Sequence, residues 1–306
     1  MKCVKVLKKD AQKTKQKLIA LDAWAKGYLL VSGREYLYFP VSKEVKGYEI
    51  VEKECEKVMK VKLELLNYDK IGDIVIAGED VSDIEAKKLI NVANVKVVLR
   101  KVGIHHGEFR TQDLEYIAGE KRKETVYREN GVQMKLDVEK CYFSPRLGTE
   151  RMRIGSLVKD KEKVLVLFSG VAPYPLVIAK HAKPSLIVGV EKNPIAHKYA
   201  EYNCRNYSNI KLFNEDAMKF NHPEKFDRIL MPLPKSAEAF LPTALRLLNK
   251  NGVIHFYDFL EEKNIPEKAI QKVKKNIKNA KILKVVKCGQ YAPGRFRICV
   301  DFKIDQ

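Results

Sequence analysis

The stretch KVLVLFSGVAPYPLVIAKHAKPSLIVGVEKNP, residues 163–194, decides the fold. KVLVLFSG is an apolar run ending in a turn, YPLVIAKHA has the look of a helix, and SLIVGVE is a second apolar run. Near-continuous apolar strands are those covered on both faces, and strand, helix and strand in this order make the unit of a parallel sheet. The pattern continues downstream. NIKLFN, FDRILMPLP and GVIHFYDF read as further strands, and NPIAHKYAEYNCRNY, SAEAFLPTALRLLNKN and IPEKAIQKVKKNIKNA as the helices between and after them. The tail AKILKVVKCGQYAPGRFRICVDFKI supplies two more strands instead of a helix.

Alternating strands and helices closed by a terminal hairpin are the order of a class I, methyltransferase-type Rossmann domain more than of a dehydrogenase. The expected fold class is α/β, with this domain at residues 155–306 preceded by two smaller α+β domains. The first, residues 1–55, opens with the strand KCVKVLKK and the helix-like DAQKTKQKLIALDAWA, and closes with the alternating REYLYFPVS. Residues 56–62 lie in a charged stretch and are the candidate linker. The middle domain, residues 63–154, holds strands in KVKLELLNYDKIGDIVIAG and VKVVLRKVG, a helix in SDIEAKKLINVAN, and ETVYRENGVQMKLDV, where Asn-Gly between alternating runs signals a hairpin. A chain of 306 residues is long enough for each to bury its own core.

The formal net charge is +19, with a pI near 9.5. Such an excess suits a polyanionic partner such as nucleic acid, or a heat-adapted, lysine-rich surface. Neither a signal peptide nor a long uncharged apolar run is evident, so the expected location is cytoplasmic, with no membrane partner. The six cysteines are scattered without a Cys-x-x-Cys pair, which speaks against a disulfide framework and a metal site. His105 and His106 read as solvated or RNA-contacting loop residues.

In open α/β sheets the ligand lies beyond the carboxyl ends of the strands. Gly170 follows the first strand, although Ala172 and Pro173 stand where further glycines would complete a dinucleotide fingerprint. Glu191 closes the next strand, where a carboxylate can accept both ribose hydroxyls, and Asp216 ends the third, where it can accept from an adenine amino group. Either acid alone also suits a helix cap, in EKNP and NEDA; the pair at successive strand ends points to an adenosyl cofactor.

GEFR (107–110), YFSPRLGTER (142–151), GVAPY (170–174), VEKNP (190–194), MPLPK (231–235), GVIHFY (252–257) and YAPGRF (291–296) come in the order and spacing of one family. Over nearly its whole length the chain resembles the archaeal and eukaryotic tRNA (guanine-37-N1)-methyltransferases. That resemblance implies methyl transfer from S-adenosylmethionine to the guanine 3′ of the anticodon. The N-terminal module would dock on the outer corner of the tRNA.

Attack by guanine N1 on a sulfonium methyl requires a base for the N1 proton and a donor for the charge growing on O6. The matched motifs imply Glu150 as the base and Arg110 as the O6 donor; read from the residues alone, Glu150 is a first-turn helix acid and Arg110 a surface arginine. The resemblance further implies Tyr142 beside cofactor and substrate. The expected cofactor set adds Phe168, Val171, Lys192 and Ala217 to Gly170, Glu191 and Asp216, with Lys235 and Arg295 expected at the RNA and Arg146 and Arg151 expected to touch RNA phosphates or to fix the Glu150 loop.

Two departures from the family pattern stand out. Val166 replaces a frequent Asp, and Pro232 replaces the Asn that ends the fourth strand and meets the guanine edge in single-activity members. Proline has no side-chain hydrogen bond and no N–H, so Pro232, grouped with the reacting centre and the cofactor wall, offers a flat apolar surface. A proline here resembles the archaeal branch that also methylates C7 of 4-demethylwyosine to give isowyosine, with tRNA-Phe as the expected substrate of that step. The alternatives are an aminocarboxypropyl transferase of the same pathway and a non-catalytic tRNA-binding protein. A monomer is expected.

Overall fold

The computed structural model describes residues 1–56, 67–234 and 236–304, with backbone alone at 104 and 105. Most of the candidate linker 56–62, the first residues of the middle domain, the Lys235 side chain and the His105 side chain therefore lie outside the described residues. Contacts divide the chain into two compact units, one of Met1–Tyr68, Val75–Arg100 and Tyr116–Lys121, the other of Asp69–Ile74, Lys101–Glu115 and Arg122–Gln306.

In the first unit β1 (Lys2–Leu7), α1 (Ala11–Ala20), β2 (Val31–Ser32), β3 (Tyr36–Pro40) and β4 (Glu49–Glu52) form a sheet of order β2-β3-β1-β4 with one helix. Leu18 of α1 packs on Val4, Phe39 and Val41. The helix stops at Ala20, short of the Ala25 that the sequence suggests. Asp22 turns left-handed (φ 47°), and Trp24 bridges to Val41.

A second sheet has the order β5-β6-β7-β8, from β5 (Tyr68–Ile71), β6 (Ile74–Ala77), β7 (Val97–His106) and β8 (Thr111–Gly119). Its helix α2 (Asp83–Lys88) is opened by Ser82 and Glu85 in a reciprocal capping box. β9 (Glu124–Glu129) and β10 (Val132–Asp137) are the expected hairpin, with Asn130 and Gly131 at φ 45° and 73°, the positive pair that a tight primed turn demands. The sequence reading gave this hairpin to the middle domain. Its Val132 and Met134 share a core with Leu176, Val177, Ala200 and Cys204, which belong to helices of the following domain.

That domain runs α3 (Gly148–Leu157), β11 (Lys163–Leu167), α4 (Pro173–His181), β12 (Leu186–Val190), α5 (Pro194–Cys204), β13 (Ile210–Phe213), β14 (Phe226–Met231), α6 (Leu241–Leu247), β15 (Leu248–Glu261), α7 (Glu267–Asn276), β16 (Ala280–Ala292) and β17 (Arg295–Ile304). The seven strands lie in the order β13-β12-β11-β14-β15-β17-β16. The first five are parallel, and the β16–β17 hairpin is antiparallel against β15.

Alternation along β11 shows why its apolar run is continuous. Leu165 and Leu167 face the core shared with Ala244 and Leu247 of α6 and Val273 of α7, whereas Val164 and Val166 face Ile154 of α3 and Tyr174 and Ile178 of α4. Val166 is fully buried there, so the acid frequent at this position in the resembled family has no counterpart in an apolar layer. The strand order reverses between β11 and β14, which sets the crevice at their carboxyl ends.

Candidate active site

A cavity of about 460 Å³ opens at that reversal point, within the usual range of small-molecule sites, roughly 300–1,000 Å³. The loop after β11 forms its floor by an unusual backbone. Phe168, Gly170 and Ala172 all have positive φ, at 60°, 55° and 69°. Non-glycine residues rarely take this conformation, and they concentrate where a loop is shaped around a ligand. The missing glycines of the fingerprint are thus replaced in conformation by a phenylalanine and an alanine. The Phe168 ring is held edge-on against Phe240, 4.7 Å between centroids.

Glu191 follows β12 directly and is half-buried. Its Oε2 accepts from the Gly170 N–H at 2.8 Å and its Oε1 from the Asn193 N–H at 2.7 Å, which fixes the carboxylate against the glycine turn. Burial raises its pKa against the opposing pull of these backbone donors. The cap expected in EKNP is supplied by Asn193, whose side chain accepts from Ile195 and Ala196, so Glu191 is not spent on the helix. Asp216 does serve as a cap. Its Oδ1 caps the turn at Met218, and its Oδ2 meets the Lys192 ammonium at 2.8 Å, whose hydrogen bond lowers the Asp216 pKa. Lys192 also pairs with Glu108.

Arg110, Tyr142, Phe168, Gly170, Glu191, Lys192, Asp216, Ala217 and Pro232 all line the cavity. Arg110 sits on the turn between β7 and β8 with φ 52°, and its Nη2 donates to the Pro234 carbonyl at 2.7 Å. The guanidinium is thereby brought to the end of β14. Pro232 is the centre of a three-residue turn closed by Leu233 N–H to Met231 C=O at 2.8 Å. The fixed φ of proline suits the centre of such a turn.

Other expected site residues are placed elsewhere. Val171 is fully buried outside the cavity lining, with its carbonyl held by Asn203. Arg146 pairs with Asp69 at 2.9 Å, and Arg295 lines a separate cavity. Arg151 reaches the cavity wall, yet its guanidinium fork is taken by Glu129 of β9, with Nη2 at 2.6 Å, and by the Ser144 carbonyl, and it lies over the Phe143 ring. Arg146 and Arg151 were expected to touch RNA phosphates or to fix the Glu150 segment; buried at 1% exposure and bidentate to a carboxylate, Arg151 fastens α3, which carries Glu150, to the hairpin.

Glu150 departs most from its expected place. It is a first-turn residue of α3, as the residues alone suggest, and it is not in the cavity lining. The residue is 3% exposed, and its carboxylate accepts from Tyr257 Oη at 2.6 Å and from Arg153 at 2.7 and 2.8 Å. Tyr174, a cavity residue, donates in turn to Tyr257 Oη at 3.1 Å. Burial raises both phenol pKa values well above normal, so both tyrosines keep their protons. Two hydrogen-bonded hydroxyl groups therefore link the carboxylate to a residue of the cavity wall.

Sequence reasoning missed Glu108, Ser169, Asn193 and Phe240, which also line the cavity. Ser169 lay inside the loop already singled out; nothing in the sequence marks Phe240, which comes from a turn ahead of α6. The buried Ser169 hydroxyl has no hydrogen-bond partner among the described residues, and a Cβ built on Gly170 would meet only the Tyr142 carbonyl, at 3.9 Å. An orphan donor, two acids at strand ends and apolar walls of Phe168 and Phe240 fit an adenosyl group.

The TRM5/TYW2 methyltransferase domain matches residues 125–286, the tRNA methyltransferase 5 N-terminal domain residues 3–49, and the TYW2 N-terminal domain residues 49–122. The chain belongs to the TRM5/TYW2 methyltransferase family. It is 35% identical to the tRNA (guanine(37)-N(1))-methyltransferase Trm5b of Pyrococcus abyssi, over 98% of each chain. To the tRNA (guanine(37)-N(1))/4-demethylwyosine(37)-methyltransferase Taw22 of Nanoarchaeum equitans it is 36% identical, over 74% of this chain and 93% of the relative. The structure of aTrm5 in complex with tRNALeu superposes with a TM-score of 0.72 at 29% identity, over 99% of both chains. Members of the TRM5/TYW2 family use S-adenosylmethionine, and the cavity at the β11–β14 reversal is where this chain would hold it. Among the described residues no helix is long and apolar enough to cross a membrane.

Proposed function

We propose that this chain methylates N1 of guanine-37 in tRNA and, in a later step, C7 of 4-demethylwyosine to give isowyosine. The observation that carries the reading is Arg110, whose guanidinium is hydrogen-bonded to the Pro234 carbonyl at the same strand ends that hold Glu191 and Asp216. A donor for a developing oxyanion and the acceptors for an adenosyl group thus share one cavity.

S-adenosylmethionine supplies an electrophilic methyl group when bound. Glu191 would hold the ribose hydroxyls, Asp216 and the Ala217 segment would hold the adenine edge, and Tyr142, Phe168 and Pro232 would wall the group in. As the N1 proton leaves, negative charge grows on O6, where Arg110 stabilises it, and methylation of N1 discharges it. Glu150 is too deeply placed to touch the base itself, so the proton route runs through Tyr174 and Tyr257, each receiving a proton on Oη as it passes its own onward to Glu150. Pro232 leaves an apolar, amide-free wall, which suits the third ring of the tricyclic base; the likeness to Taw22 supports the same reading.

The remaining assignments belong to this proposal. Residues 1–55 dock the tRNA, 63–154 and 155–306 hold the anticodon arm, Arg146, Lys235 and Arg295 meet RNA phosphates, and the enzyme acts as a monomer, with tRNA-Phe as substrate of the second step. The test is mass spectrometry of nucleosides after incubation with S-adenosylmethionine and two tRNAs, one with unmodified guanine-37 and one with 4-demethylwyosine. Methylation of both is expected. Methylation of guanine alone removes the second activity, and an aminocarboxypropyl adduct or no product removes methyl transfer.

A further inference from the structure

A second cavity of about 330 Å³ lies at the end of β15 and the tip of the β16–β17 hairpin. Phe259, Glu261, Asn264, Lys268, Tyr291 and Arg295 form most of its wall. Tyr291 is 51% exposed, although its ring leans on Phe259 with centroids 4.2 Å apart and planes at 37°. An aromatic side chain braced by one neighbour and open to solvent is a ready stacking platform.

The charges around it are unevenly satisfied. Glu261 pairs with Lys263 and accepts from Asn264, and Glu262 pairs with Lys287. Lys268 and Arg295 have no ion-pair partner among the described residues. Two free cations flanking an exposed ring, in a chain of net charge +19, match a base with its phosphate.

This cavity is one side chain away from the cofactor site. The Arg297 guanidinium carbon sits 5.1 Å over the Phe259 ring, while its Nη2 donates to Tyr142 Oη at 2.9 Å. Tyr142 lines the first cavity and Phe259 the second. Arg297 is only 7% exposed, and its buried Nε–H has no hydrogen-bond partner among the described residues, so a donor is left over at the junction.

We propose that the second cavity binds a nucleotide adjacent to the target on the same RNA strand, an inference that rests on the reading of this protein as a tRNA methyltransferase. Its base stacks on Tyr291, its phosphate is met by Arg295 and Lys268, and Arg297 couples its position to Tyr142. Once this neighbour is seated, the target is splayed away from it into the first cavity. Glu261 at the rim accepts from an exocyclic amino group, which favours adenine, guanine or cytosine over uracil.

The experiment uses the full chain and anticodon-arm RNAs carrying an abasic nucleotide on the 5′ or the 3′ side of the target. RNA affinity is read by fluorescence anisotropy, RNA KM by methyl transfer, and cofactor affinity by calorimetry. Tyr291→Ala is expected to weaken RNA binding and raise the RNA KM about tenfold with cofactor affinity unchanged. One of the two abasic positions is expected to cost the parent enzyme a similar factor and the variant nothing more. Arg295→Ala is expected to weaken every RNA alike. The inference is overturned if Tyr291→Ala leaves RNA affinity unchanged, or if its loss adds in full to that of both abasic positions. If the parent enzyme binds RNA without transferring methyl, the proposed reaction fails, and the anisotropy cycle still decides the subsite.

Discussion

Arg110 and Glu191 separate the two halves of the chemistry because they act on different partners. Arg110 has a hydrogen bond to Pro234 in the substrate half of the cavity, and Arg110→Ala is expected to lower kcat on guanine-37 by about 10²-fold, the scale for one oxyanion donor, with cofactor affinity unchanged. Lysine at 110 should rescue little, since a point charge cannot both hold the carbonyl and point a second donor at O6. An equal loss of cofactor affinity would show Arg110 to be structural. Glu191 belongs to the cofactor half. Glu191→Gln is expected to weaken S-adenosylmethionine binding by roughly 10- to 100-fold in calorimetry, the worth of about 1.5–3 kcal/mol for hydrogen bonds to a charged acceptor. Because burial raises the Glu191 pKa, the parent enzyme should begin to lose cofactor on acidification at a higher pH than an ordinary glutamate would allow, and the glutamine variant should show no such step. Glu191 was legible because its distance from Gly170 is set by strand, helix and strand lengths. The displacement of Glu150 was not, because whether a first-turn acid faces a cavity or a core depends on Tyr257 of β15, and on Asp301 of β17, which holds Arg153 one turn along α3.

The elements themselves were largely legible, since β11 to β15 are apolar runs bounded by turn residues and the Asn130-Gly131 turn announces its hairpin. Less legible was where that hairpin packs. Its alternating pattern says that one face is buried, and only the fold shows that α4 and α5 bury it, which draws Glu129 to Arg151. The loop after β11 is the sharper lesson. A glycine-poor FSGVA segment gives no sequence signal of close approach, yet Phe168 and Ala172 accept left-handed backbone beside Gly170. Gly170 then matters more, since it is the residue in that loop that adopts the conformation freely. Gly170→Ala is expected to cost about 1–2 kcal/mol from backbone strain alone, as its new Cβ meets only the Tyr142 carbonyl at 3.9 Å. Chemical denaturation measures this directly. A much larger loss would mean that the loop cannot hold its shape around any side chain at 170, and no loss would mean that its left-handed turn relaxes at will.

Across the catalytic domain a chain of buried charges ties α3 to the sheet, and it makes the stability of the molecule depend on pH. Glu150 meets Arg153, Arg153 meets Asp301 of β17 at 2.6 Å, Asp301 meets His255 of β15 at 2.6 Å, and His255 meets Arg228 of β14 at 2.8 Å, which pairs with Glu162. His255, Cys299 and Asp301 lie close enough to hold a metal ion, but Arg228 and Arg153 already occupy the approaches, and burial raises the Cys299 pKa so that it stays a thiol donor. Because a guanidinium can only donate, His255 must present a bare Nε2 to Arg228 and donate from Nδ1 to Asp301. Its pKa is accordingly lowered, first by burial. Burial opposes ionisation of Asp301 too, yet the hydrogen bonds from His255 and Arg153 outweigh it and hold that pKa well below the usual carboxylate range. Both shifts are depressions. Each group is therefore fully stabilising above its unfolded pKa, and the stability is lost as the pH falls through the folded value. For His255 the loss begins near pH 6.5 and for Asp301 near pH 4, the ordinary values of the two groups. Unfolding free energy from urea titrations should be flat above about pH 7.5 and fall below about pH 6.5, with a slope from His255 of at most ~1.4 kcal/mol per pH unit. His255→Asn is expected to lower stability throughout while removing that portion of the slope. Equal slopes in parent and variant between about pH 7 and pH 5 would show that folding leaves the histidine pKa unchanged, and a shallower fall in the parent than in the variant would show a histidine that is protonated in the fold.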